Sequence, residues 1–236
     1  MPEASRPTEP CLGILKLDTR FPRPPGDTGN AATFAFPVRY AVVAGASPRR
    51  VVCERAAGLL DPFIAAGHRL VEQGAVGIAT TCGFLTLFQK ELAAALPVPV
   101  ATSSLMQVAW VAPMLRPGKR VGLITINADS LSPDHLSAVG VPLDIPFEGV
   151  APGAEFRERI LEDVPVMDFV EARRNVVDCA RRLVARHPEV GAIVMECTNM
   201  PPYRKAVIEA TGLPVYDALT LAEWLWQGLP RGGARF

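Results

Sequence analysis

Net charge is the first thing this sequence lacks: Lys plus Arg and Asp plus Glu each number 24, so the formal charge is zero across 236 residues. No broad positive field is available to attract nucleic acid or anionic lipid, so the expected partner is a small molecule and neither of those. Long apolar runs are missing as well. The stretch from Val98 to Met114 is interrupted by Pro99, Thr102, Ser103, Ser104, Gln107 and Pro113, and no membrane span is expected. Met1 to Pro10 lack the basic start and apolar run of a secretory signal. The five cysteines are an odd number without a Cys-x-x-Cys pair, which argues against a disulfide framework or zinc knuckle and for reduced, cytoplasmic thiols. With no Gly-rich phosphate fingerprint and no His-x-x-x-His or Glu-x-x-His pattern, neither a cofactor nor a metal is expected.

What is present is enough apolar residue, 49%, to bury a substantial core. Short β-branched runs alternate with longer helical patterns, the sequence form of an α/β protein with mainly parallel sheet. Strands are expected at Leu12 to Leu17, Gly77 to Thr81, Val98 to Ala101, Val121 to Ile126, Ala192 to Met195 and Val215. Helical spacing runs through Pro48 to Gln73, Phe84 to Leu96, Met167 to Arg186 and Pro202 to Thr211.

An internal repeat organises these elements. Gly13-Ile14-Leu15 and Gly122-Leu123-Ile124 each begin a strand, and Ile78-Ala79-Thr80-Thr81-Cys82 parallels Ile193-Val194-Met195-Glu196-Cys197. The match holds its register downstream: Pro99-Val100 follow Cys82 at the same separation that puts Pro214-Val215 after Cys197. Two similar α/β lobes are therefore expected, residues 12–112 plus 218–236 and residues 113–217, with a hinge near Ala112 to Gly118. Ligands of a parallel sheet gather beyond the carboxyl ends of its strands. Facing lobes would bring both cysteines to one cleft.

Cys82 sits where a strand ends and a helix begins, and Gly83 keeps the approach open. Unpaired amides and the positive dipole end of a helix would lower the thiol pKa there. Cys197, in Glu196-Cys197-Thr198-Asn199-Met200, occupies the matching point of the second lobe. A lone cysteine in such a protein is usually a small buried hydrophobe. Two at equivalent points of a repeat favour a functional reading.

These paired strand-end cysteines resemble the aspartate/glutamate racemase superfamily from about Leu12 to about Trp226. The resemblance is carried by Thr80-Thr81-Cys82-Gly83, Val121-Gly122-Leu123-Ile124-Thr125, Glu196-Cys197-Thr198-Asn199-Met200 and Pro214-Val215-Tyr216-Asp217-Ala218. It implies two pseudo-symmetric flavodoxin-like lobes with the active site between them. It also implies a cofactor-independent racemase or epimerase of a small chiral carboxylate or amide, an amino acid or a hydantoin. One thiolate would remove a proton beside the carboxylate and the other thiol would return one to the opposite face.

Thr81, Gly83, Thr198, Asn199, Thr125 and Asn127 are the candidates for contacting the substrate or its developing charge, with helix capping as the competing role of the polar ones. Arg20 is a candidate carboxylate clamp and Asn30 a further contact, both in the turn-rich segment after the first strand, where Arg-Phe-Pro-Arg replaces the shorter Gly-rich loop of amino-acid racemases. Asn199 stands where glutamate racemases carry a histidine, so activation of the thiol by that histidine is not available. The alternatives are a maleate-isomerase-like enzyme with a covalent cysteine adduct and a two-lobed binder of small acids without catalysis. A homodimer is left open, with Trp224 and Trp226 as contact surface or core.

Overall fold

A computed structural model describes residues 9–230. The low-complexity tails that the sequence shows at Pro2 to Pro10 and Arg231 to Phe236 lie, apart from Glu9 and Pro10, outside the described residues. Two four-stranded, all-parallel sheets are built from β1 (Cys11–Leu17), β2 (Val38–Val43), β3 (Ala75–Thr80) and β4 (Val100–Ala101), then β5 (Arg120–Thr125), β6 (Phe147–Gly149), β7 (Val190–Met195) and β8 (Val215–Tyr216). Their orders, β2-β1-β3-β4 and β6-β5-β7-β8, are the same topology used twice. This is the α/β fold of two similar flanked parallel sheets that the sequence implied.

The helices are α1 (Pro48–Val52), α2 (Leu60–Glu72), α3 (Gln89–Ala95), α4 (Val108–Val111), α5 (Pro133–Ser137), α6 (Glu155–Leu161), α7 (Phe169–Arg186), α8 (Arg204–Thr211) and α9 (Ala218–Gly228). None is long and apolar enough to cross a membrane.

Alternation along β1 shows how the layers form. Cys11, Leu15 and Leu17 enter one buried cluster with Phe63, Ala66 and Leu70 of α2, whereas Leu12 and Ile14 enter another with Leu221, Ala222 and Leu225 of α9. Successive side chains of a strand point to opposite faces, so a central strand covered on both sides must be apolar throughout. Trp226 is buried and stacks on Phe36 at 4.9 Å, while the exposed Trp224 meets Trp110 at 4.0 Å.

Helices α4, α5, α6 and α9 were not among the helical stretches expected, and the structure departs from the sequence pattern in three further respects. Strands β2 and β6 were not foreseen: both are sheet edges, β2 is largely half-buried and β6 has three residues, so neither shows a strong period. The expected helix from Pro48 to Gln73 is two helices, because Arg55, Ala56 and Gly58 adopt φ of 57°, 53° and 70° between them. Non-glycine residues enter that left-handed region only at a cost, and no α-helix passes through it. The run after Cys82 opens as a tight 3-10 turn, Gly83–Phe88, before α3.

Glycine is required at the repeat positions Gly13 and Gly122. A Cβ on Gly13 would lie 2.6 Å from Ile78 Cδ1, and one on Gly122 would lie 2.9 Å from both Leu183 Cδ2 and Val190 Cγ2. Overpacking of this kind costs about 1–3 kcal/mol. Gly13→Ala and Gly122→Ala are each expected to lower stability by about that amount in urea unfolding; an unchanged midpoint in both would refute the close packing.

Candidate active site

Strands β3 and β7 end against each other. Thr81 and Cys82 follow β3; Glu196 and Cys197 follow β7. Thr198 Oγ1 donates to the Thr81 carbonyl at 2.6 Å, and Ser104 Oγ donates to the Met195 carbonyl at 2.7 Å. Between the two ends lies a cleft with Cys82, Cys197, Thr81, Gly83, Thr198 and Asn199 in its lining. Six of the ten site residues expected from the sequence thus share one cavity.

Thr81 and Thr198 are spent on architecture as well as on the lining. Thr81 Oγ1 accepts from the Leu17 amide at 3.1 Å, and Thr198 holds Thr81. Asn199 does not cap a helix; its Nδ2 donates to Asp27 Oδ2 at 2.6 Å.

Four expected residues stand away from the cleft lining. Thr125 is buried one layer behind it and donates to Glu196 Oε2 at 2.8 Å. The Asn127 amide is held by Ser130 Oγ at 2.8 Å and lies 3.9 Å from Cys53 Sγ. Asn30 caps the 3-10 turn Ala31–Thr33, accepting from the Ala32 amide, and donates to the Arg23 carbonyl. Arg20 points outward, its side chain 75% exposed and paired with Asp163 at 3.2 Å. A solvated ion pair on a loop gives it no means of clamping a ligand in the cleft.

The buried arginine is Arg23, three residues on. Its side chain is 6% exposed, stacks 4.4 Å from the Phe21 ring, and donates from Nη1 to Asp27 Oδ1 at 2.8 Å and from Nη2 to Thr19 Oγ1 at 3.3 Å. Its Nε is buried in the lining without an acceptor. The four-residue step from Arg23 to Asp27 was the signal available in the sequence. Only the fold buries it.

Glu196 is the second residue that the sequence reading passed over, although it adjoins Cys197. It is fully buried, and its Oε1 has no hydrogen-bond donor. That oxygen and the Glu196 carbonyl lie over Gly83 so closely that a Cβ there would come within 2.2 and 2.3 Å of them. Gly83 therefore makes room for a carboxyl. A carboxylic acid closing an otherwise apolar strand, Val190–Met195, was its mark in the sequence.

The electrostatics correct the expectation of activated thiols. Burial pushes the Cys82 thiol up to about 12, and the Glu196 carboxyl pushes in the same direction. Backbone amides of Phe84 and Leu85 and the Arg23 charge oppose this without prevailing. Cys197 is raised well above the ordinary thiol range by burial, Glu196, Cys82 and Asp27, against the Asn199 amide. The short 3-10 turn after Cys82 is outweighed by desolvation. Burial likewise raises Glu196 to about 8, with the Thr125 hydrogen bond pulling the other way.

Solved structures share this two-lobed architecture. Arylmalonate decarboxylase, in its Gly74Cys-Cys188Ser form, matches at TM-score 0.63 and 19% identity over 96% of this chain and 94% of that one. Glutamate racemase from Bacillus anthracis matches at 0.59 and 16% over 93% and 83%. The fold is thus that of the aspartate/glutamate racemase superfamily.

In sequence the chain is 30% identical to a dimethylsulfoniopropionate lyase from Durusdinium sp. clade D, over 94% of this chain and 77% of that protein. It is 32% identical to dimethylsulfoniopropionate lyase 7 from Emiliania huxleyi strain CCMP1516, over 89% of this chain and 64% of that one. No family model matches the chain. The chain belongs to the dimethylsulfoniopropionate lyase family.

This corrects the expected reaction. The racemase, epimerase and hydantoin racemase readings, and with them the isomerase class, are overturned by relatives that are lyases. The resemblance identified the fold, and a fold does not by itself determine which reaction is run.

The buried Glu196 makes folding pH-dependent. Its folded-state pKa lies above the ordinary glutamate value, so its contribution to stability is complete below that value and is lost as pH rises through about 8. Melting temperatures between about pH 5 and about pH 9 are expected to fall in the native protein and to stay flatter in Glu196→Gln. Parallel profiles would remove Glu196 as the cause.

Proposed function

We propose that the chain is a lyase that splits dimethylsulfoniopropionate, (CH3)2S+–CH2–CH2–COO−, by β-elimination, with Cys82 as the base. The proton on the carbon next to the carboxylate passes to the Cys82 thiolate. The C–H electron pair becomes the carbon–carbon double bond, and the C–S pair leaves with sulfur. The products are dimethyl sulfide, acrylate and a proton held on the thiol. Sulfide departs as a neutral molecule, so its departure calls for no acid.

The observation that carries this reading is one cleft holding two thiols and a buried arginine whose Nε is unpaired, in a chain with lyase relatives. Arg23 would take the substrate carboxylate on its free edge, a charge-assisted contact that also accepts the negative charge growing there as the proton leaves. Burial and Glu196 oppose both thiolates; Cys82 is assigned as base because the Phe84 and Leu85 amides and Arg23 favour its thiolate, whereas Cys197 is further opposed by Cys82 and Asp27 and favoured by the Asn199 amide alone. Cys197 then acts as a neutral thiol donor beside the reacting carbons. A thiol held high needs the substrate's own charges and Arg23 to ionise. Once formed, its thiolate is a strong base in a site that excludes water.

Dimethyl sulfide released into the headspace, measured by gas chromatography, tests the reading. Cys82→Ala is expected to lose about 10²- to 10⁴-fold in kcat, the range of a general base, and Cys197→Ala to lose less but measurably. No release by the native protein would refute the proposal. Arg23→Gln is expected to raise KM about tenfold or more relative to Arg20→Gln, the cost of one charge-assisted contact. Equal effects of the two would place the carboxylate elsewhere.

A further inference from the structure

We propose that Glu196 is the counter-charge for an onium group, and that it selects zwitterions carrying a sulfonium or quaternary ammonium at one end and a carboxylate at the other. The inference rests on the lyase reading for the location of the ligand but concerns a residue to which that reading gives no task.

Apart from the two thiols, Arg23 and Glu196 are the ionisable groups in the cleft lining. Their situations differ. Arg23 already has an anion, Asp27 at 2.8 Å, and only its Nε is without an acceptor. Glu196 forms no ion pair among the described residues; Thr125 Oγ1 meets Oε2 at 2.8 Å, and Oε1 meets no donor. A buried carboxyl with one empty oxygen is expensive to ionise unless a cation arrives. Gly83 is kept without a side chain directly beneath that oxygen.

Beside the polar Thr81, Thr198 and Asn199, the remaining lining is largely apolar and aromatic, with Phe84, Ile126, Val52 and Leu17 among it. A methylated onium ion has no N–H or S–H to donate. It is bound by apolar and π surface together with an unscreened negative charge, which is what this wall and Glu196 offer. An ammonium or guanidinium ligand would instead need several acceptors, and the lining supplies few. The charged or titratable groups near Glu196 are the Cys82 and Cys197 thiols, with Arg23, Asp27 and Tyr203 acting on those thiols. None of the three is paired with Glu196. Entry of an onium group would therefore drive a proton from Glu196 to solvent, and an uncharged ligand of the same shape would not.

The test is calorimetric titration of the full chain with 3-(trimethylammonio)propionate and with 4,4-dimethylpentanoate, which has the same shape without the positive charge. The native protein is expected to bind the onium compound about tenfold or more tightly than the isostere, the worth of a single buried charge contact. Glu196→Gln is expected to bring the two affinities together while keeping its hold on the isostere. In buffers of different ionisation enthalpy near neutral pH, the native protein is expected to release a proton with the onium ligand alone. Retained onium preference in Glu196→Gln, or no proton release by the native protein, overturns this inference and leaves the lyase reading standing if dimethyl sulfide is still formed. Failure of the native protein both to form dimethyl sulfide and to bind either ligand overturns both. Should Glu196→Gln not fold, proton release is measured on Cys82→Ala, which lacks the thiol expected to ionise with the ligand: release retained there supports Glu196, and release lost there overturns the inference.

Discussion

The close approach of Glu196 to Gly83 is the contact on which the rest of the site depends. Two strands from two separate sheets end there, and a carboxyl oxygen occupies the volume that any side chain at position 83 would claim. The approach puts Cys82 and Cys197, each one residue from the contact, into one cleft, and the bond from Thr198 to Thr81 fastens the same pair of strand ends. It also buries an acid where water cannot reach it.

Burial then sets the chemistry. Both thiols and the acid are held in forms that carry no charge near neutral pH, and Glu196 raises the cost of ionising both thiols, as Cys82 does for Cys197. Against this stands the Arg23–Asp27 pair, neutral as a unit, with Asn199 tying it to the second lobe. A cleft of this kind is quiet when empty. Under the reading proposed above, a zwitterion would bring one charge for Arg23 and one for Glu196 and so change the field that the thiols experience.

Solved structures named as racemases and as a decarboxylase share this fold, while the relatives in sequence are named as lyases. Removing a proton from a carbon beside a carboxylate builds negative charge that preorganised donors can stabilise. A racemase must return a proton to the opposite face and so needs an acid there. Elimination of a sulfonium group needs only somewhere for the carbanion's electrons to go, and the leaving sulfide supplies it.

The sequence by itself determined what repeats and what is apolar throughout: the α/β class, the two copies of one topology, the central strands β1 and β5 with β3 and β7 beside them, and the cysteines at equivalent strand ends. These were legible because a buried parallel strand leaves a continuous apolar run and a duplication leaves matched spacings. The edge strands β2 and β6 were not, since a half-covered strand has no such run. Only the tertiary structure decided that Arg23 rather than Arg20 is buried at the cleft, that Thr125 serves Glu196, and that Glu196 itself belongs to the site. Those assignments rest on burial and on contacts between residues far apart in the chain, such as Asp27 with Asn199. Desolvation, which reversed the expected sign of the cysteine shifts, is likewise a property of the folded surroundings and not of neighbouring residues in the sequence.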